Sequence, residues 1–90
     1  MIQLEIPAAL KRLTDEQETI SVEADTVGQA LGELWKRFPK LQSRVLGNDD
    51  ELFPYLLLFH NGQKLSRADF ESHPLNNGDT LEIVALAEGG

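Results

Sequence analysis

Cysteine is absent from the 90 residues, which excludes a disulfide framework, a zinc–thiolate site and a thiol nucleophile. That composition suits a reducing compartment, so the cytoplasm is the expected location. Basic side chains are scarce: 8 Lys and Arg against 15 Asp and Glu leave a net charge of −7. Such a balance disfavours nonspecific binding to nucleic acid and favours a partner with a basic surface. Long apolar runs are missing as well, since no stretch reaches the roughly 18 uncharged residues of a membrane span. The first residues, Met1-Ile2-Gln3-Leu4-Glu5-Ile6-Pro7, alternate where a secretion signal would place a basic region before an apolar one. Neither a membrane nor an export route is expected. Histidines number two, His60 and His73; the first precedes a turn and the second lies in a loop, and neither belongs to a recognisable triad or metal spacing. The acidic run Asp49-Asp50-Glu51 lacks the alternating ligands, central glycine and distal glutamate of a calcium loop. No bound metal or cofactor is expected.

What is present describes one small folded domain. Hydrophobic residues make up 41% and charged residues 26%, ordinary globular values. A chain of this length buries roughly 60 to 68% of its unfolded surface, enough for one modest core. Ile2, Leu4 and Ile6 alternate with Gln3 and Glu5, the period of a strand with one buried face, and Pro7 ends it. Thr19 to Glu23 alternates again with Ile20 and Val22 on one side, so the two strands predict a hairpin; the conformation of Ala8 to Asp15 stays open. Thr26 and Gln29 have capping-box spacing, and Val27, Ala30, Leu31, Leu34, Trp35 and Phe38 form one apolar helical face. Lys36, Arg37 and Lys40 suit the end of that helix, where Pro39 limits continuation.

Leu41 to Leu46 reads as a short second helix. The continuous apolar run Tyr55 to Phe59, with His60, ends at Asn61-Gly62, a strong hairpin signal, with Gln63 to Leu65 as the return. Leu75 to Asp79 is a turn cluster, and Thr80 to Leu86 forms a last strand with Leu81, Ile83 and Ala85 on one side and Glu82, Val84 and Leu86 on the other. One main helix must cover four or five strands, which predicts an α+β fold with a mixed sheet. The domain is expected to span 1–87, leaving 88–90 as a flexible tail.

That tail is Glu88-Gly89-Gly90. Two residues without Cβ make a thin strand of chain that fits a narrow tunnel and could carry an activated carboxylate; a frayed end reads the same way from composition alone.

The pattern as a whole resembles the ubiquitin-like β-grasp sulfur carriers of the MoaD and ThiS type. The resemblance rests chiefly on His73-Pro74-Leu75-Asn76-Asn77-Gly78-Asp79-Thr80-Leu81, similar to the family's hPLxdGDxv segment, and on Gly89-Gly90 at the family's distance after it. Phe38 to Gly47, then Asp50-Glu51-Leu52 and Asn61-Gly62, resemble the longer MoaD-like branch, which includes archaeal ubiquitin-like modifiers. Many MoaD-like chains place an aromatic and two prolines before the diglycine, where this chain has Ile83 to Glu88.

The resemblance implies a carrier, not an enzyme. Gly90 would be adenylated by a MoeB- or ThiF-like activating enzyme using ATP and magnesium, then converted to a thiocarboxylate, with Gly89 as the slender neck. A sulfur-accepting enzyme, such as a molybdopterin synthase large subunit or a cysteine synthase homologue, would take the sulfur. The same activated Gly90 would serve a protein modifier that forms isopeptide bonds, and a β-grasp interaction module without tail chemistry is the third reading. If Tyr55, Leu57 and Phe59 face the helix, Leu56 and Leu58 face outward beside Val84 and Leu86 and form an apolar patch for the activating enzyme; the inward and outward sets could also be exchanged.

Overall fold

The computed structural model describes residues 1–86. Five strands form one mixed sheet in the order β2-β1-β5-β3-β4. They are β1 (Ile2–Glu5), β2 (Thr19–Val22), β3 (Leu56–His60), β4 (Gln63–Lys64) and β5 (Thr80–Ala85). The expected hairpin of β1 and β2 is antiparallel, with Ile2 opposite Val22 and Leu4 opposite Ile20. The last strand enters the middle of the sheet, parallel to β1 and antiparallel to β3.

Within Ala8 to Asp15, whose conformation the sequence leaves open, Ala8–Thr14 is a 3-10 helix on the connection from β1 to β2, and Asp15 caps its end in a left-handed conformation. Pro7 stands before it in an extended conformation, and Leu10 is buried beneath it. Its fully buried Thr14 hydroxyl is shared between the carbonyls of Lys11 (3.1 Å) and Gln17 (2.8 Å), so the burial leaves no polar atom unsatisfied.

Helix α1 (Val27–Arg37) starts where the capping pattern places it. The Thr26 side-chain oxygen accepts from the Gln29 backbone N–H at 3.1 Å, and the Gln29 side chain accepts from the Asp25 N–H at 2.8 Å. Val27, Ala30, Leu31 and Leu34 are buried against the sheet, while Trp35 and Phe38 are half-buried at its margin. Pro39 does more than end α1: it occupies the first turn of α2 (Pro39–Val45), where its missing N–H costs no hydrogen bond. α2 adds Leu41 and Val45 to the core, which continues through Ile2, Leu4, Val22, Leu56, Leu58 and Leu81.

Candidate functional site

β5 delivers the chain to its last described residues, and the face of the sheet turned away from α1 is the one that no helix covers. Leu81 and Ile83 point into the core; Glu82 is exposed and Val84 half-buried on the outer side. In an antiparallel pair, residues directly opposite share a face. Leu57 stands opposite Val84 and Phe59 opposite Glu82, whereas Leu58 stands opposite Ile83 and Leu56 opposite Ala85.

This register corrects one expectation. Leu56 and Leu58 do not face outward; both are 0% exposed in the core. The outward residues of β3 are Leu57 and Phe59, half-buried beside Val84. Tyr55 does pack against the core, stacked on Phe53 with ring centroids 5.7 Å apart, but it precedes the strand. A run of six consecutive apolar and aromatic residues has no alternation from which to read its phase. The signal that could have set it was the clear alternation of β5, carried across the sheet by pairing.

Val84 and Leu86 lie where the sequence placed them. Leu86 is 47% exposed, one of the large hydrophobic side chains most open to solvent, and its N–H donates to the Tyr55 carbonyl at 2.8 Å. Pairing between the two segments thus continues one residue beyond β5. Glu5 and Glu82 are neighbours across the parallel β1–β5 pair, so the apolar strip is flanked by two carboxylates. A shallow groove lined by Glu5, Glu18, Glu82 and Val84 runs along this edge. Gly89 and Gly90, and the proposed boundary between domain and tail, lie outside the described residues.

The turn cluster around Asp79 serves another purpose. Asp79 Oδ2 accepts from the Asn76 N–H at 2.8 Å and meets His60 Nε2 at 2.7 Å, while Oδ1 accepts from Asn61 Nδ2 at 3.1 Å. These contacts, the Asn76 backbone N–H foremost, then His60 and Asn61, hold the Asp79 carboxyl down at about 2. Asn61 in turn accepts from the Thr80 N–H at 2.8 Å, and His60 Nδ1 lies 3.0 Å from His73 Nε2. Gly78 has φ +94°, a conformation natural to glycine, and its N–H donates to the Met1 carbonyl. The His73-to-Leu81 motif therefore ties the β3–β4 hairpin to the start of β5 and to Met1, the residue before β1. It lies at the Thr80 end of β5, roughly 17 Å by strand rise from Ala85 at the other end. Among the described residues, no group of three or more His, Cys, Asp or Glu side chains could hold a metal ion, and no helix is long and apolar enough to cross a membrane.

A five-stranded mixed sheet with a parallel β1–β5 centre, one principal helix across it and a final strand leading to the chain terminus defines a ubiquitin-like β-grasp protein. The ThiS family profile matches residues 4–90. Small archaeal modifier protein 1 of Haloferax volcanii is 33% identical over 75 residues, covering 80% of this chain and 82% of the relative. Its crystal structure aligns with a TM-score of 0.79 at 29% identity, over 99% of this chain and 98% of that one. A protein of Archaeoglobus fulgidus named as a candidate sulfur carrier is 29% identical over 89 residues, 99% of this chain and 98% of its own. The fold also matches a chain of the Amycolatopsis orientalis BexX/CysO complex, with a TM-score of 0.86, 20% identity and full coverage of both chains. The protein is of the class of small ubiquitin-like carriers and modifiers, which are not enzymes themselves. Within that class, the chain belongs to the ThiS family.

Proposed function

We propose that this protein is a sulfur carrier whose Gly90 carboxylate is the group that becomes activated. The observation that carries the reading is that the family match runs through residue 90, so Gly89-Gly90 fall inside the matched segment. The carboxylate attacks the α-phosphate of ATP held with magnesium by a MoeB- or ThiF-like enzyme, releasing pyrophosphate and leaving an acyl adenylate. Hydrosulfide then displaces AMP, forming the carbon–sulfur bond of a thiocarboxylate as the carbon–oxygen bond to AMP breaks. The carrier contributes the acyl group and the docking surface; the partner holds ATP and supplies the acid–base groups.

Leu57, Val84 and Leu86 form the apolar part of that surface, with Phe59 beside them. Burying such a strip against a partner is favourable at roughly 25 cal/mol per Å² of apolar area. The carrier then docks on a sulfur-accepting enzyme of cofactor or metabolite synthesis, of molybdopterin or cysteine type. A chain of the same fold is found in the BexX/CysO complex, which is compatible with a carrier that docks on another protein. The reactions belong in the cytoplasm, where ATP and a sulfide source are available.

A second reading, conjugation to lysines of target proteins through the same adenylate, is favoured by the 33% identity to a small archaeal modifier protein. Both begin with one acyl adenylate. ATP–pyrophosphate exchange with the activating enzyme tests that common step: the wild-type chain supports exchange, a chain lacking Gly90 does not, and Leu57→Asp and Val84→Asp raise KM while staying folded. Exchange unaffected by the two aspartates would remove the sheet face from the docking surface, and exchange that survives loss of Gly90 would overturn the assignment.

A further inference from the structure

On the helix side of the molecule, away from the outer face of the sheet, a cleft of about 400 Å³ opens between α1 and the segments 46–52 and 67–71. Its apolar lining comes from Leu31, Trp35, Leu46 and Phe70, and its rim carries Asp50, Glu51 and Glu71. Arg67 also borders it, but its guanidinium is committed: it donates to the carbonyls of Leu52, Phe53 and Leu56 at 2.7–2.9 Å and lies over the Phe70 ring. The ion pairs among the described residues are Lys11–Glu18, Lys36–Glu33 and His60–Asp79, so none engages the three rim carboxylates.

Two glycines of α1 border this cleft, and they differ in their reasons. A Cβ on Gly28 would stand 2.6 Å from the Glu71 backbone oxygen, which itself accepts the Gly28 N–H at 3.1 Å; the fold requires glycine there. Gly32 has no such reason. A Cβ there meets nothing within 4 Å, and its backbone is ordinary helix. Glycine inside a helix is unfavourable relative to alanine, so this position gives up stability without relieving any contact of the isolated chain. What it does is keep the cleft floor low beside Trp35.

We infer that this cleft receives an arginine- or lysine-bearing segment of a protein partner. The aliphatic stem of the basic residue lies over Gly32, Leu31 and the Trp35 ring, and its charged head meets Asp50, Glu51 and Glu71. Opposite charge on the rim selects a basic partner, as does the overall charge of −7. An acidic or purely apolar segment would leave three carboxylates facing it with the single Arg67 cation as their counterweight. This site is independent of the chemistry at the terminal glycine, so either can fail without the other.

Trp35 is the sole tryptophan, which makes its fluorescence a local reporter. The full-length protein is titrated with the peptide acetyl-Leu-Arg-Leu-Arg-amide and with its citrulline counterpart, which keeps the shape and loses the charge. We expect a saturable change in Trp35 fluorescence with amide shifts clustered at Gly32, Glu51 and Glu71, and affinity for the citrulline peptide weaker by roughly tenfold or more. Gly32→Leu, which projects a side chain into the cleft from a position where a Cβ meets nothing within 4 Å, should abolish the response while circular dichroism stays native. Glu51→Gln with Glu71→Gln should weaken it while preserving the cleft. No saturable binding, equal binding of the citrulline peptide, shifts centred on the sheet face, or binding that survives Gly32→Leu would each overturn the inference.

Discussion

Leu57 and Leu58 are adjacent residues of one type, and the structure assigns them opposite fates. Leu58 is fully buried on the core side of β3, opposite Ile83. Its truncation to alanine removes three carbon atoms from a site hemmed in by β4, β5 and the helix layer, where little collapse is available. Burial of a leucine side chain is worth about 2 kcal/mol, and the cavity adds to that, for an expected loss of ~3 kcal/mol. In a 90-residue domain that amounts to a fall in Tm of roughly 12 to 24 °C. Leu57 is half-buried on the outer face, so its alanine variant should lose about 1 kcal/mol or less and melt within a few degrees of wild type. Thermal and urea unfolding of both variants, followed by circular dichroism, makes the comparison. Equal losses, or a larger loss at Leu57, would refute the assigned phase of β3 and with it the composition of the docking strip.

The two helix glycines predict opposite signs for one substitution: Gly32→Ala should raise stability by about 1 kcal/mol in urea unfolding, while Gly28→Ala should lower it by roughly 1 to 3 kcal/mol as its Cβ displaces the Glu71 backbone. Thr26→Ala removes the cap at the Gln29 N–H and should cost about 1 kcal/mol by the same assay. Asp79 binds its proton less readily in the folded chain, at about 2 against an ordinary 3.8, so the unfolded chain takes up more protons between those values. Its contribution to stability is therefore complete above the ordinary carboxylate range and is lost as pH falls through 3.8 toward 2. Asp79→Asn should flatten that part of the stability profile; an unchanged acid limb in urea titrations at each pH would contradict the role given to this carboxylate.

Much of the fold was legible because its signals were local. Alternation placed β1, β2 and the faces of β5, and Thr26 with Gln29 marked the start of α1 through bonds that form within one turn. The Asn61-Gly62 hairpin was equally local. The phase of β3 was not, because Tyr55 to His60 offers no polar residue before its end, and only pairing with β5 decides which leucines turn inward. The same limit hid the network at Asp79. His60, Asn61, His73 and Asp79 are separated by up to 19 positions, and each alone reads as an ordinary turn or loop residue. The helix-side cleft is marked in the sequence by the acidic run that includes Asp50 and Glu51 and by Gly32, a glycine inside an otherwise good helix, and the meaning of both depends on the loops that the fold brings over α1. The outer strip itself was partly legible: Val84 and Leu86 follow from the alternation of β5, whereas Leu57 and Phe59 required the register.

In the function proposed above, Gly90 carries the sulfur. Incubating the full-length protein with an activating enzyme of the MoeB or ThiF type, ATP, magnesium and sulfide, and then recording its intact and fragment masses, tests it most directly. The predicted result is a mass gain equal to the exchange of one oxygen for sulfur, dependent on ATP and confined to the fragment containing Gly90. An unchanged mass under conditions that consume ATP, or sulfur located in any other fragment, would contradict the claim.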